Sequence, residues 1–416
     1  IDGPVTASSG NFLSSLNMGS DAIIIKNGEK TDSTAITASD ILYYSAKLNI
    51  VLAYSDKRTG IYESASPSKD LPDSITVSGK VYKIESVTAF NKLSSTGSFS
   101  YGDTVTLLLG KEGGVADVIA VGEQADVVGY LVGAGSKTFT TDSDESYTGY
   151  YARIVFPDGN EYEYEIKNKY SLPLNNVVKV TFDEGTASVS TIKNTAYVTG
   201  RIDAAAAAVG SDTFAPKVEI LDVTSPGEYD PGAYCGVYLK RLDGVTLKKS
   251  DILYLERDEQ NRISKLILND VTGDNHDYGL MLSAENRSGG VSVSGSYQYL
   301  VDGETKSLNT SGKSFTVSKG QAVRISYSQG QVYTISPLIQ LVPGVESITS
   351  TYLTTSDGNK YSISEADIYL KVSTDTPYKR VTAEEITGNK KVSIKAFYDK
   401  HPLSGGKIRI IQATAY

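Results

Sequence analysis

One local pattern recurs along this chain and limits what it can become: an apolar run, a short polar turn, and a second apolar run. Ser39-Asp40-Ile41-Leu42-Tyr43-Tyr44 leads to Ile50-Val51-Leu52-Ala53-Tyr54. Tyr101 to Leu109 turns at Lys111 to Gly114 and returns as Val115 to Ile119. Asn176 to Phe182 turns at Asp183-Glu184-Gly185 and returns through Ala187 to Ile192. Ser250 to Leu255 returns as Ile263 to Ile267, and Gly320 to Tyr327 turns at Ser328-Gln329-Gly330 and returns as Val332 to Ile335. Alternation at Val178, Val180 and Phe182, and at Val323, Ile325 and Tyr327, marks strands with one buried face. Gly185 and Gly330 stand where a tight hairpin needs positive φ.

A second unit precedes several of these hairpins. Its copies are Ser78 to Ile84, Pro157 to Ile166, Val301 to Leu308 and Ser356 to Ile363, each a Gly-containing turn followed by a short alternating strand. Asp-Gly is a strong hairpin signal. An isolated hairpin is marginal in water, so several must close on one another to hide their edges. The expected fold is all-β: several small SH3-like or OB-like barrels, or compact sandwiches, in tandem with few short helices. Ser39 to Tyr43 matches Ser250 to Tyr254, and the layout from Asp158 to Ile192 resembles that from Asp302 to Ile335. An early and a late stretch therefore read as one duplicated block.

At 416 residues the chain has room for roughly two to four domains. Changes of pattern divide it into 1–122, 123–210, 211–340, possessing features of a repeat of the early block, and a C-terminal 341–416. Short helices are expected at Glu85 to Leu93, at Asp203 to Val209 with Asp203 as cap, and at Thr382 to Thr387. A net charge of -9 disfavours nucleic acid, whose phosphates call for clustered Lys and Arg. No apolar run reaches the roughly eighteen residues of a membrane span. The start Ile1-Asp2-Gly3 lacks a leader pattern and reads as a mature or trimmed chain, which leaves export open. The lone Cys235 permits no intrachain disulfide and reads as a buried strand residue.

Catalytic chemistry has little to work with. His276 and His401 are the only histidines, and each falls in a loop context. A phosphate loop, a G-x-S-x-G elbow and an H-E-x-x-H helix are all missing from the sequence. A carboxylate-based glycoside hydrolase is the remote option, since two facing acids suffice. The chain contains no Trp, so any sugar-stacking face must rest on its 29 tyrosines. Tyr147, Tyr150 and Tyr151 cluster, and Tyr162 and Tyr164 alternate with Glu161, Glu163 and Glu165; these five tyrosines are the candidate ligand-binding residues. Two acidic loops, Asp142, Asp144 and Glu145, and Asp270, Asp274 and Asp277, are candidate calcium ligands, although neither has the helix–loop–helix spacing. No other cofactor is expected.

The stretch from Asp40 to Tyr44 through Lys57-Arg58-Thr59-Gly60-Ile61-Tyr62 to Ser78-Gly79-Lys80-Val81-Tyr82, continuing into Phe99 to Gly110 and Val115 to Val118, resembles a known group. It is similar to the non-anchor region of cell-surface proteins of clostridia-like Gram-positive bacteria that carry S-layer homology domains elsewhere. The likeness covers about the first 125 residues. It implies an exported, cell-wall-associated structural or spacer region, without enzymatic activity, whose partners are neighbouring copies or cell-wall polymers. The competing expectation is an adhesion or glycan-binding module that uses exposed tyrosines. No S-layer homology domain is visible in the sequence, and the resemblance carries no site residues.

Overall fold

Strands form where the alternation places them, because a period of two buries one face of each run. The computed structural model describes residues 1–8, 12–120, 127–140, 145–167, 172–183, 186–224, 232–290, 292–328, 330–373, 375–387 and 391–416. All five expected hairpins pair antiparallel: Ile41–Ser45 with Ile50–Tyr54, Thr104–Leu109 with Val115–Ala120, Val177–Asp183 with Thr186–Thr191, Ile252–Arg257 with Ile263–Asn269, and Ala322–Ser328 with Gln331–Pro337. The second unit also appears each time, as Lys80–Lys83, Glu161–Ile166, Glu304–Ser311 and Lys360–Ser362. Each follows a glycine in the left-handed region, with φ of 78° at Gly79, 80° at Gly159, 82° at Gly303 and 84° at Gly358.

The chain divides into two compact units, Ile1–Thr195 with Ala215–Leu221, and Ala196–Phe214 with Asp222–Tyr416. Three blocks of five strands share one order. The early block comprises Lys57–Pro67, Pro72–Val77, Lys80–Lys83, Thr104–Leu109 and Val115–Ala120. The middle block comprises Val127–Thr140, Ser146–Val155, Glu161–Ile166, Val177–Asp183 and Thr186–Thr191. The late block comprises Asp277–Gly289, Ser292–Val301, Glu304–Ser311, Ala322–Ser328 and Gln331–Pro337. In each, the strands lie third, second, first, fourth, fifth.

The likeness holds residue by residue. The first strand of each block carries a glycine opposite a valine of the fourth: Gly60 and Val105, Gly129 and Val178, Gly279 and Val323. A bulge then begins two residues later, at Tyr62, Leu131 and Met281. Close approach explains the glycine. A Cβ at Gly129 would lie 2.5 Å from Ile154 Cγ2, and one at Gly279 would lie 2.0 Å from the Leu300 carbonyl oxygen. The entrance to the fourth strand repeats too. Asp103 Oδ2 accepts the Ser100 N–H at 2.8 Å, and Gln321 Oε1 accepts that of Ser318 at 2.7 Å. Asp40 and Asp251 make the same turn ahead of Ile41–Ser45 and Ile252–Arg257, accepting from Thr37 and Lys248 at 2.8 Å.

Only the middle block closes into a ring among the described residues, where several barrels were expected. Its third and fifth strands meet in parallel at Ile166 and Ala187. The early block makes one parallel bridge, Ile84 to Val115, and the late block is an open sheet. The third strands account for the difference. Glu161–Ile166 buries Tyr162, Tyr164 and Ile166 in a core with Leu131, Ile154 and Val180. Glu304–Ser311 offers only Leu308 as an apolar residue and is exposed along most of its length. Without apolar side chains to bury, nothing drives closure over that strand.

The helices at Val87–Leu93 and Ala383–Ile386 match expectation. The first is capped by the Ser86 hydroxyl, which accepts the Ala89 N–H at 2.9 Å, and it buries Ala89 and Leu93. The alanine-rich segment after Asp203 is not a helix. Gly200–Asp203 and Ala208–Val209 are strands, and Asp203 accepts the Ala206 N–H at 2.9 Å to cap the turn between them. So short a run cannot meet the cost of helix nucleation, and strand pairing overrides its propensity.

Candidate functional site

The long hairpin of the middle block sorts the candidate tyrosines by parity. Tyr147 and Tyr151 point to the outer face with Arg153, whereas Tyr150 shares the opposite face with Ala152 and Ile154. Tyr162 and Tyr164 stand opposite Ile154 and Ala152, so they too point inward. They are 8% and 2% exposed and stack at 6.4 Å, which makes them core residues and not the exposed ligand-binding face expected of them. Tyr162 donates to Asp158 Oδ2 at 2.6 Å, and burial with that carboxylate raises its pKa well above the ordinary tyrosine value.

Tyr147, 39% exposed, and Tyr151 remain on an outer face of mixed charge. Tyr147 donates to Glu165 Oε2 at 3.0 Å; burial and that hydrogen bond push its hydroxyl up to about 12. Lys137 lies 5.4 Å from the Tyr151 ring centroid, pairs with Glu163, and stands 3.4 Å from Glu63. Arg153 Nε is 4.0 Å from the same Glu163. The opposing strand supplies Gly135 beneath Tyr151 and Gly133 beneath Arg153, where an added Cβ would come within 3.3 Å and 2.9 Å of those side chains. The face is therefore a shallow platform of aromatic rings and paired charges. Tyr150, 37% exposed, is separated from it by the sheet.

Among the described residues the candidate calcium ligands do not gather around a common point. Asp142 and Asp144 lie outside the described residues, and Glu145 is exposed. Asp270, Asp274 and Asp277 each have a different partner. Asp274 accepts from Arg241 at 2.8 and 3.1 Å and from Arg409 at 2.8 Å. Burial raises its pKa, but the hydrogen bonds and charges of both arginines outweigh this and hold it below the usual carboxylate value. Asp270 pairs with His276, and Asp277 takes the hydroxyl of Tyr327. Among the described residues no group of three His, Cys, Asp or Glu side chains could hold a metal.

Asp270 and Asp274 belong to a polar hub that sequence reading missed. Arg409 is 5% exposed and its Nη2 donates to the Thr272 carbonyl at 2.8 Å and to Asp399 at 3.1 Å. Asp399, whose side chain is 1% exposed, also accepts from Tyr278 at 3.0 Å and from the Lys400 and Lys407 N–H groups at 2.9 Å. Asp222 is enclosed by the Val271 and Thr272 N–H groups at 2.9 and 2.7 Å and by the Thr272 hydroxyl; burial still raises its pKa. Arg409 is more than a hundred residues from Thr272 and Asp274 in the chain, as Asp399 is from Tyr278, so no local pattern announces these contacts. Cys235 lies nearby on the strand Tyr234–Gly236, half-buried, with its thiol pushed up to about 11 by burial and then by Asp222 and Asp274.

His276 completes the hub. Its Nε2 is 3.0 Å from Asp270 Oδ1, and its Nδ1 is 2.9 Å from the Ser326 hydroxyl. The residue types are those of a hydrolase triad, but Ser326 is a buried residue within a strand and the side chain of His276 is only 7% exposed. A triad serine needs open approach and donors aimed at the developing oxyanion. This trio instead ties the loop after Asn269 to the strand Ala322–Ser328. His401 accepts the Leu403 N–H at 3.2 Å and caps a single 3-10 turn.

No protein-family model matches the chain, and no curated protein matches it.

Proposed function

We propose that this chain is a structural or spacer region of an exported cell-surface, S-layer-associated protein, without enzymatic activity. The observation that carries the reading is the five-strand block that recurs with the same order, bulge and glycine–valine register in each copy. Repetition of one small unit is how extended surface structures gain length without a large single core. Buried ion pairs such as Arg409 with Asp399 and Lys26 with Asp40 fasten strands and loops in a chain that has no disulfide. The middle block is read as OB-like, because its ring runs first, second, third, fifth, fourth with the third and fifth strands parallel. The partners are neighbouring copies and cell-wall polymers. Antibody labelling of intact source cells tests the reading: signal on unpermeabilised cells is expected, and signal only after permeabilisation contradicts it.

A second reading, glycan adhesion, draws on the platform formed by Tyr147 and Tyr151. An exposed and a half-buried ring beside paired charges suit sugar stacking with polar contacts at the rim. A glycan and cell-wall binding screen with the purified chain decides this. Binding that is lost in Tyr147→Ala or Tyr151→Ala supports adhesion, and binding untouched by both substitutions removes it.

A further inference from the structure

An open depression of about 660 Å³ is lined by Tyr197, Lys248, Lys249, Ser250 and Ile252. Strand pairing builds it. Gly200 pairs antiparallel with Leu247, which brings the residues before Gly200 alongside those that follow Leu247. Lys249 Nζ comes to rest 4.4 Å from the Tyr197 ring centroid. Ile252 is buried beneath, and Lys248, Lys249 and Ser250 are exposed. The carboxylate in this segment is engaged by backbone: Asp251 Oδ2 accepts the Lys248 N–H at 2.8 Å. In a chain of net charge -9, the lining is thus two ammonium groups, a hydroxyl, a half-exposed ring and an apolar side chain.

We infer that this depression binds an anionic saccharide, a sugar ring bearing a phosphate or a carboxylate. The volume falls within the roughly 300–1,000 Å³ of small-ligand sites. The ammonium groups of Lys248 and Lys249 are point charges that suit either anion. Ser250 adds a hydroxyl that can donate or accept, and the Tyr197 ring with Ile252 supplies apolar surface for the sugar. An open depression admits a residue within a longer polymer as readily as a free sugar. The inference is independent of the platform at Tyr147 and Tyr151, which lies on different strands.

Saturation-transfer NMR on the full chain tests it, with glucose 6-phosphate, glucuronate, glucose and inorganic phosphate as probes. The two charged sugars are expected to bind, with glucose and inorganic phosphate weaker by about tenfold or more. Raising the salt should weaken both charged sugars, since exposed charge pairs are screened. Lys248→Gln with Lys249→Gln should reduce their binding about tenfold while the circular dichroism spectrum stays that of the parent. Lys249→Arg, which keeps the charge, should retain it. The inference fails if neither charged sugar binds at concentrations on the order of 10 mM. It fails equally if the double variant binds as the parent does, or if inorganic phosphate binds as tightly as glucose 6-phosphate.

Discussion

Ile166 stands opposite Ala187 in parallel pairing, and that contact turns the middle block from a sheet into a ring. Ala187 is buried beside Val180 and Val189, so the seam has room for a methyl group and little more. Ala187→Leu should therefore overpack it, at a cost of about 1–3 kcal/mol, read as a lower urea midpoint.

The repeated glycine of the first strand has a steric reason to be there. At Gly279 a Cβ would meet the Leu300 carbonyl oxygen at 2.0 Å, and backbone cannot move aside as a side chain can. Gly279→Ala should cost about 1–3 kcal/mol. Gly289, with nothing within 4 Å of its Cβ position, is the control. Its alanine variant should stay within about 0.5 kcal/mol of the parent in the same urea titration.

Arg409 holds the polar hub together. Arg409→Met leaves Asp399 buried without its cation, and uncompensated buried charges of this kind cost about 3–5 kcal/mol. Thermal unfolding should show a much lower midpoint for this variant. Lys306→Met, which removes an exposed pair with Glu304, should leave the unfolding midpoint close to that of the parent.

Asp274 gives the hub a pH dependence of known sign. Its folded pKa lies below the ordinary 3.8, so it stabilises the fold above that value and loses the contribution as pH falls through its folded pKa. Asp222 works the other way: its raised pKa favours the protonated folded form, so its contribution falls as pH rises from 3.8 through the folded value. Asp274→Asn should be less stable than the parent at neutral pH and should lose less stability on acidification below 3.8. Urea titrations at a series of pH values give both curves.

Much of the fold was legible because strand structure is written in local alternation and turn chemistry. Val178 and Val180 announce one buried face, and the glycines at 79, 159, 303 and 358 mark the turns. Parity also separates Tyr150 from Tyr147 and Tyr151. What parity cannot give is which face turns inward, and Tyr162 and Tyr164 fell on the buried side while Glu163 on the other is itself covered. Closure was not legible either, because it depends on whether a third strand has apolar side chains to contribute to a core formed by distant strands. The hub was hidden for a similar reason. Arg409, Asp399, Asp274 and Arg241 acquire meaning only when the sheets that carry them pack together.

Amide hydrogen exchange on the full chain resolves whether one five-strand block is used three times and closed once. Slow exchange is expected in the fourth strands of all three blocks, Thr104–Leu109, Val177–Asp183 and Ala322–Ser328, whose valines face the repeated glycines. Glu161–Ile166, paired along one side and met on the other at Tyr162 and Ile166, should be protected at more of its amides than Glu304–Ser311, which is paired on one side and should exchange fast at alternate amides. Equal protection of Glu304–Ser311 and Glu161–Ile166, or an unprotected fourth strand in any block, would contradict it.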